Sequence, residues 1–375
     1  GAEVIRFDRL EGGLDARRMP YSPSGSSLFW SGMNKGKKSI AVDMKNPEGK
    51  DLITNLITAP GKDAGLFLTN LKVKGWLDYE TLSELRSDII IVTLKGDRQG
   101  RPQVDYTVNP ALGIPEITGH EGSTEPVANA IPAWDMIAGN MCVSSLLAAE
   151  RYRLRHGVGQ DVEIALKDVA AAAIGHLGMI ADSTLNTVDR SKAGNALYGA
   201  YGKDFLCADG NRVMIIGLTS RQWSGILKAT DTTEQFRNLE NEKNINLKDE
   251  AIRWKWRHEI TAILEPWFKT RAVEDFARDF DNTGLTWSVF RSVKEALEFD
   301  PDLSEENPLF KKIQQPDAGE FLVPTHPANF SKVDKTEAKG APSLGEHTEE
   351  ILGDILHLSD IEISNLFDKG VVASP

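Results

Sequence analysis

Cysteine is nearly missing from this chain. There are two in 375 residues, Cys142 and Cys207, far apart in sequence. Neither a disulfide framework nor a metal-ligand spacing can be drawn from them, and they point to a reduced, cytoplasmic setting. Positive charge is also short: 43 Lys and Arg stand against 55 Asp and Glu, for a net charge of −12. That balance argues against a nucleic-acid partner or an anionic membrane surface held by bulk electrostatics, though a local basic pocket for a phosphorylated ligand remains compatible with it. No apolar run reaches the length of a membrane span, and no signal peptide is visible. The seven histidines form no metal pattern and no G-x-S-x-G elbow is present, so neither a zinc enzyme nor a serine hydrolase has support, and no metal is expected. The phosphate loops G-x-x-x-x-G-K-[ST] and G-x-G-x-x-G are missing too.

What is present is ordinary for a globular protein: 41% hydrophobic and 26% charged residues, over a length that accommodates two domains. The chain starts at once on a strand-like segment, Val4 to Phe7. The expectation is that about thirty residues, the size of one βαβ unit, precede it. Strand and helix signals then alternate. SIAVDM (39–44) reads as a strand, and NPEGKDLITNLI (46–57) as a helix opened by Asn46 with Pro47 first. GLFLTN (65–70), DYETLSELR (78–86) and DIIIVTLKG (88–96) continue as strand, helix and buried strand. This alternation predicts an α/β domain with a parallel sheet.

Residues 96–133 read as a Gly/Pro-rich loop region. A long helix is predicted from Trp134 to about Arg155, with Met136, Ile137, Met141, Leu146 and Leu147 on its buried side and GVGQ (157–160) ending it. DVEIAL (161–166) reads as a strand and KDVAAAAIGHLGMI (167–180) as one well-buried helix. FLCADGNRVMIIGL (205–218) is a hairpin signal with Asp209-Gly210 in its turn. SRQWSGILKAT (220–230) is a capped helix, and amphipathic helices follow over 251–264 and 272–280. The organisation read from this is a large domain in 1–194, a smaller α+β domain in 195–312, and a final part, 313–375, holding a strand FLVP (321–324) and two helices.

One carboxylate stands out. In IPAWDMIAGN (131–140), Asp135 sits among apolar side chains at the mouth of the long helix. It reads either as an N-cap or as a nucleophile, ionised yet poorly hydrated, that attacks acyl groups. Asp168 also begins a helix, and there a cap is the favoured reading. The basic run NKGKKS (34–39) reads as a solvated loop or as a phosphate contact. Trp134, beside Asp135, is the tryptophan expected near a ligand.

In order along the chain, GAEVIRFDR, NKGKKSIAVDMKNPEGKDL, LTN, VDYTVNPALGIPEITG, GVGQDVEIALKD and APSLGEHTEEIL resemble the motifs of the class III CoA-transferase family. The resemblance implies a Rossmann-like large domain built from both chain ends, a small domain from the middle, and two chains interlocked as a homodimer. It implies a CoA thioester as substrate, with no separate cofactor. It identifies Asp135, with Gly139 following, as the nucleophile. CoA contacts would fall on Arg9, on Val42, Asp43, Met44 and Lys45, on Asn70, Leu71 and Lys72, and at Tyr106.

There are departures from the family pattern. Val104 and Thr107 stand where a Lys and a Glu flank the family's aromatic residue. Val104 also occupies the place of the histidine base of the related acyl-CoA racemases. AGNALYGAYGKDF replaces a mobile glycine tetrad, and Tyr198 and Tyr201 within it would help to retain a freed acid. Within the family, VDYTVNPALGIPEITG, PAWDMIAGN and GNALYGAYGKDF are most similar to members that move CoA between the two carboxyl groups of one methyl-branched unsaturated diacid. Intermolecular CoA transfer, racemisation and non-catalytic acyl-CoA binding stand as alternatives.

Overall fold

The strands and helices predicted for residues 39–96 all occur in the computed structural model, which describes residues 2–187 and 189–375. Gly1, the first residue of the GAEVIRFDR segment, and Val188 lie outside them. The fold is mixed α/β, and contacts divide the chain into two units. The first comprises residues 1–102, 138–165 and 293–375, the second 103–137 and 166–292.

In the first unit, strand Ile5–Asp8 lies parallel to Lys38–Val42, with Asp8 opposite Ala41, and Val372–Ala373 pairs antiparallel to the far side of Lys38–Val42. A second sheet is wholly parallel: Leu66–Thr69, Ile90–Lys95 and Gln160–Ala165, with Ile90 opposite both Leu66 and Gln160. Both sheets contribute to one core, in which Val42, Ile53, Phe67, Ile91 and Leu352 pack together. Local chemistry explains the helices. Asn46 caps Pro47–Ile57 by accepting from the Glu48 amide at 3.0 Å, and Leu52, Ile53 and Ile57 share the buried face. Asp78 caps Tyr79–Leu85 through the Thr81 amide, and these hydrogen bonds hold its carboxyl below the usual range. Gly159 is required where the chain enters Gln160–Ala165, since a Cβ there would lie 1.9 Å from the Ile89 carbonyl oxygen. A hairpin, Phe310–Gln315 with Gly319–Pro324, adds a strand that was not anticipated.

In the second unit, Tyr201–Leu206, Arg212–Gly217 and Thr286–Val289 form an antiparallel sheet, and its hairpin turns at Asp209-Gly210 as predicted. Helices Ser220–Thr230, Arg257–Lys269 and Ala277–Thr283 cover it around Phe205, Trp223, Phe236, Phe268 and Phe280. Thr219 and Gln222 form a capping box for the first of these helices. Arg253, fully buried, donates to the carbonyls of Gly217, Leu218, Leu247 and Lys248.

Four expectations need correction. The 96–133 region is not all loop, since it holds helices Asp105–Ala111 and Ile114–Ile117. The 167–180 helix is two, Leu166–His176 and Met179–Leu185, broken at Gly178 with φ +74°, and its second half is largely exposed. The 251–264 helix is also two, Glu250–Lys255 and Arg257–Lys269, divided at Trp256. Finally, the long helix is Ala133–His156, 24 residues and about 36 Å, but its buried stripe is Trp134, Ala138, Cys142, Ala149 and Arg153. Met136, Ile137, Met141 and Leu147 are exposed, and Leu146 is half-buried. A helix whose apolar residues are spread around its whole circumference offers no amphipathic signal to choose its inward face. Here Ala138, Cys142 and Ala149 turn in, between Trp134 and Arg153. No helix among the described residues is long and apolar enough to cross a membrane.

Candidate functional site

The front of the Ala133–His156 helix is built by a residue that is distant in sequence. Asp105, at the start of Asp105–Ala111, points its Oδ2 at the first amides, accepting from the Trp134 amide at 2.7 Å and the Asp135 amide at 3.2 Å. Asp135 is therefore not the cap. It is the third residue of the helix, with its side chain exposed on the single chain. The expectation of poor hydration does not hold for that chain alone.

Trp134 is buried rather than presented to a ligand. Its indole Nε1 donates to Asn109 Oδ1 at 3.0 Å, and Asn129 reaches the same oxygen at 3.5 Å. Asp105, Asn109 and Trp134 thus form one buried polar knot beneath Asp135. Asp105 and Asn109 were quoted in the motif VDYTVNP but given no role. The bonding partner lies 30 residues away, and no local pattern signals it. Tyr106, exposed, is next to Asp105 on the same short helix.

The other expected CoA contacts lie in the first unit, each just after the C-terminal end of a parallel strand, where α/β sheets bind ligands. Arg9 follows Ile5–Asp8, residues 42–45 end and follow Lys38–Val42, and residues 70–72 follow Leu66–Thr69. The register ends with Asp8 opposite Ala41, one residue before Arg9 and Val42. Val42 is fully buried and offers a ligand no side chain. Asp43 turns back to accept from the Lys45 amide at 3.0 Å, leaving Lys45 exposed. Leu71 is exposed, its amide held by Thr69 Oγ1 at 2.9 Å. Lys72 lies 3.2 Å from Glu163, which also pairs with Lys95 at 2.6 Å. Lys95 and Lys72 together hold the Glu163 carboxyl below its usual range, and Glu163 in turn raises Lys72.

The basic run 34–39 is tied down rather than simply solvated. Lys38 pairs with Glu3 at 2.7 Å and Glu350 at 2.8 Å, while Lys37 donates to Asn34. Burial pushes Lys35 and Lys37 below the usual lysine range.

In the segment that replaces the glycine tetrad, Tyr201 is a core residue. It packs edge-on to Trp223, its hydroxyl meets Thr261 at 3.1 Å, and burial raises it far above its ordinary value. It is not free to retain a substrate acid. Tyr198 is exposed, with the Arg190 guanidinium 3.7 Å from its ring centre and Trp254 at 5.0 Å. A cavity of about 400 Å³ in the second unit is lined by His120, Glu121, Asn195, Lys203, Asp204 and Arg212. Its charges are largely spent on one another: Lys203 and Arg212 pair with Asp204, and Glu121 with Arg257. No cluster that could hold a metal occurs among the described residues.

The family model described as CoA-transferase family III matches residues 1–348. The chain is 49% identical to the 2-methylfumaryl-CoA isomerase of Chloroflexus aurantiacus, over all of this chain and 92% of that one. It is 26% identical to the human succinyl-CoA:glutarate CoA-transferase, over 99% of this chain and 84% of that one. Among solved structures, a CaiB/BaiF family protein of Brucella suis superposes with a TM-score of 0.75 at 22% identity, covering 95% of this chain and 92% of the other, a likeness of fold.

Proposed function

Because the chain belongs to CoA-transferase family III, we propose that it moves CoA from one carboxyl group of 2-methylfumaryl-CoA to the other, with Asp135 carrying the acyl group. The observation that carries this choice is the 49% identity along the whole chain with an enzyme named for that substrate. The exposed carboxylate at the front of a capped helix is the group that suits the chemistry.

The Asp135 carboxylate attacks the thioester carbonyl. The C–S bond breaks, leaving a mixed anhydride and CoA thiolate. The thiolate attacks the aspartyl carbonyl of the anhydride, giving an aspartyl-CoA thioester and the free diacid. The other carboxylate of that diacid attacks the aspartyl thioester and again expels thiolate. Attack of the thiolate on the substrate carbonyl of this second anhydride then forms the isomeric thioester and restores Asp135. Thioester is exchanged for thioester, so the balance is near neutral. The protein's tasks are to keep water from both anhydrides and to hold the diacid and thiolate where they react. Arg9, residues 42–45, residues 70–72 and Tyr106 are the proposed CoA contacts. Tyr198, braced by Arg190 and Trp254, is the proposed retaining group for the diacid. The absence of a histidine at position 104 disfavours two-base racemisation.

A homodimer is part of the same reading. Val143, Leu147 and Leu154, spaced four and seven residues apart, share one face of the long helix and are all exposed on the single chain. Such a face on a soluble protein calls for a cover.

The test is brief incubation with 2-methylfumaryl-CoA, a hydroxylamine quench and peptide mass spectrometry. Modification at Asp135, isomer formation, and no entry of isotopically labelled free 2-methylfumarate into product are expected. Unimpaired turnover by Asp135→Ala refutes the nucleophile, and rapid entry of label refutes the intramolecular route.

A further inference from the structure

Lys192 has 6% of its surface exposed. Burying a lysine costs far more than burying an apolar side chain of the same length, and a carboxylate partner is the usual relief. Among the described residues no carboxylate pairs with it. Its Nζ donates instead to two backbone carbonyls, that of Glu125 and, at 3.5 Å, that of Pro115. Gly119 lies against it, since a Cβ there would come within 3.6 Å of both Cδ and Nζ of Lys192. The two carbonyls belong to one piece of chain. The Val127 amide donates to the Pro115 carbonyl at 3.1 Å and closes that piece into a loop, and the Gly194 amide donates to the Gly119 carbonyl at 3.0 Å. From the loop the chain runs on through Asn129 and Trp134, both bonded to Asn109 Oδ1, to Asp135. Lys192 itself lies between Arg190 and Tyr198, whose guanidinium and ring are in contact at 3.7 Å. It thus joins the stretch that ends at Asp135 to the stretch that carries Tyr198, all within the second unit.

We propose that Lys192 is a positioning residue that locks these two stretches together, so that the freed diacid is held until its second carboxylate attacks. The proposal rests on the reading of Asp135 as the acyl carrier and Tyr198 as the retaining group. The reaction has a stage at which the substrate acid is bound by no covalent bond: the thiolate has taken the aspartyl carbonyl, and the diacid is free beside an aspartyl-CoA thioester. Its return depends on its effective concentration, which falls once the walls of the site part. The Gly194 amide supplies one backbone bond between the stretches. Lys192 adds two more, near both ends of the 115–127 loop. Because the acceptors are backbone carbonyls, no side-chain rotation on the far side releases them. Lys192 itself makes no bond to substrate.

The closing experiment uses full-length wild type and Lys192→Met, which keeps the length of the side chain and removes its donors. Each is given 2-methylfumaryl-CoA together with isotopically labelled free 2-methylfumarate, and a parallel sample is quenched with hydroxylamine. A wild-type adduct at Asp135 with no label in product upholds the reading on which the proposal rests, whereas a missing adduct or labelled wild-type product removes both together. In Lys192→Met the adduct at Asp135 still forms, but the diacid escapes, and the aspartyl thioester left behind is attacked by an acid from solution. The ratio of labelled to unlabelled product is expected to rise about tenfold or more over the wild-type background, with unlabelled free 2-methylfumarate accumulating in step. A purely structural role lowers the amount of active enzyme and leaves that ratio where it was. A folded Lys192→Met whose product is as free of label as that of the wild type therefore overturns the proposal. Should Lys192→Met not fold, Lys192→Gln, which retains a donor but reaches less far, is measured in its place, and unlabelled product there overturns the proposal equally.

Discussion

Leu147→Asp tests whether the outward face of the long helix is an interface between two copies of the chain. Leu147 is 55% exposed, Val143 54% and Leu154 74%. Full burial of such a side chain contributes about 1.5–3 kcal/mol, so covering what is exposed here is worth roughly 1–2 kcal/mol each. The three together come to roughly 3–6 kcal/mol per chain, and an isologous dimer counts every contact twice. Putting an aspartate at 147 removes about 1 kcal/mol of that gain per chain and adds the cost of stripping water from an unpaired carboxylate, several kcal/mol, again twice. A loss of at least about 4 kcal/mol per dimer raises Kd by about a thousandfold. The side chain lies in solvent on the single chain, so Leu147→Asp has little reason to unfold a monomer, and circular dichroism at a fixed temperature separates unfolding from dissociation. Sedimentation velocity over a dilution series, with isomerase activity at each concentration, is the assay. The expected result is a folded monomer with little activity at concentrations where the wild type is dimeric. A variant that stays dimeric at every dilution, or a wild type that is monomeric where it is fully active, refutes the reasoning.

Gly49 lies on the helix that follows the proposed CoA contacts 42–45, and a Cβ there would sit 2.2 Å from the Asp43 carbonyl oxygen. Gly49→Ala is expected to cost about 1–3 kcal/mol in urea unfolding and to raise KM more than it lowers kcat. An unchanged midpoint with unchanged KM contradicts the placement of CoA at that strand end. Cys207 is buried, and burial, with the nearby Asp209 charge second, pushes its thiol up to about 11. Its ordinary value is 9.0. Its contribution to stability is therefore whole below pH 9 and is lost as pH climbs through about 11, because only the unfolded chain ionises it in that window. With Cys142 also buried and free, Ellman's reagent at pH 8 is expected to find almost no reactive thiol until the chain is denatured. Prompt reaction of the native protein contradicts the burial.

Local signals carried those elements whose caps and apolar runs lie within them. Asn46 with Pro47, Asp78 and Thr219 each stand beside the helix they start, and the unbroken apolar run of Ile90–Lys95 marks a strand flanked on both sides. What stayed hidden depends on residues far apart. The Phe310–Gln315 strand reads as FKKIQQ, and its exposed lysines mask the alternation. The inward face of Ala133–His156 is chosen by what packs against it. The helix break at Gly178 follows from a positive φ that the surrounding apolar pattern does not announce. At the site, the quoted motifs contained Asp105 and Asn109, but their roles depend on bonds reaching Trp134 and Asp135 across 25 to 30 positions.

Asp135 and Asp168 show why that distant bond matters. Each is the third residue of its helix, Ala133–His156 and Leu166–His176 respectively, and each side chain is exposed. By position and accessibility the two are alike, and a reagent choosing on those grounds alone would modify both. They differ beneath the helix. The amides at 134 and 135 are taken by the buried Asp105 carboxylate. If reactivity follows from this arrangement, substrate-dependent trapping labels Asp135 and spares Asp168 in the wild type. Equal labelling of the two aspartates would mean that the distant carboxylate has no part in selecting the nucleophile.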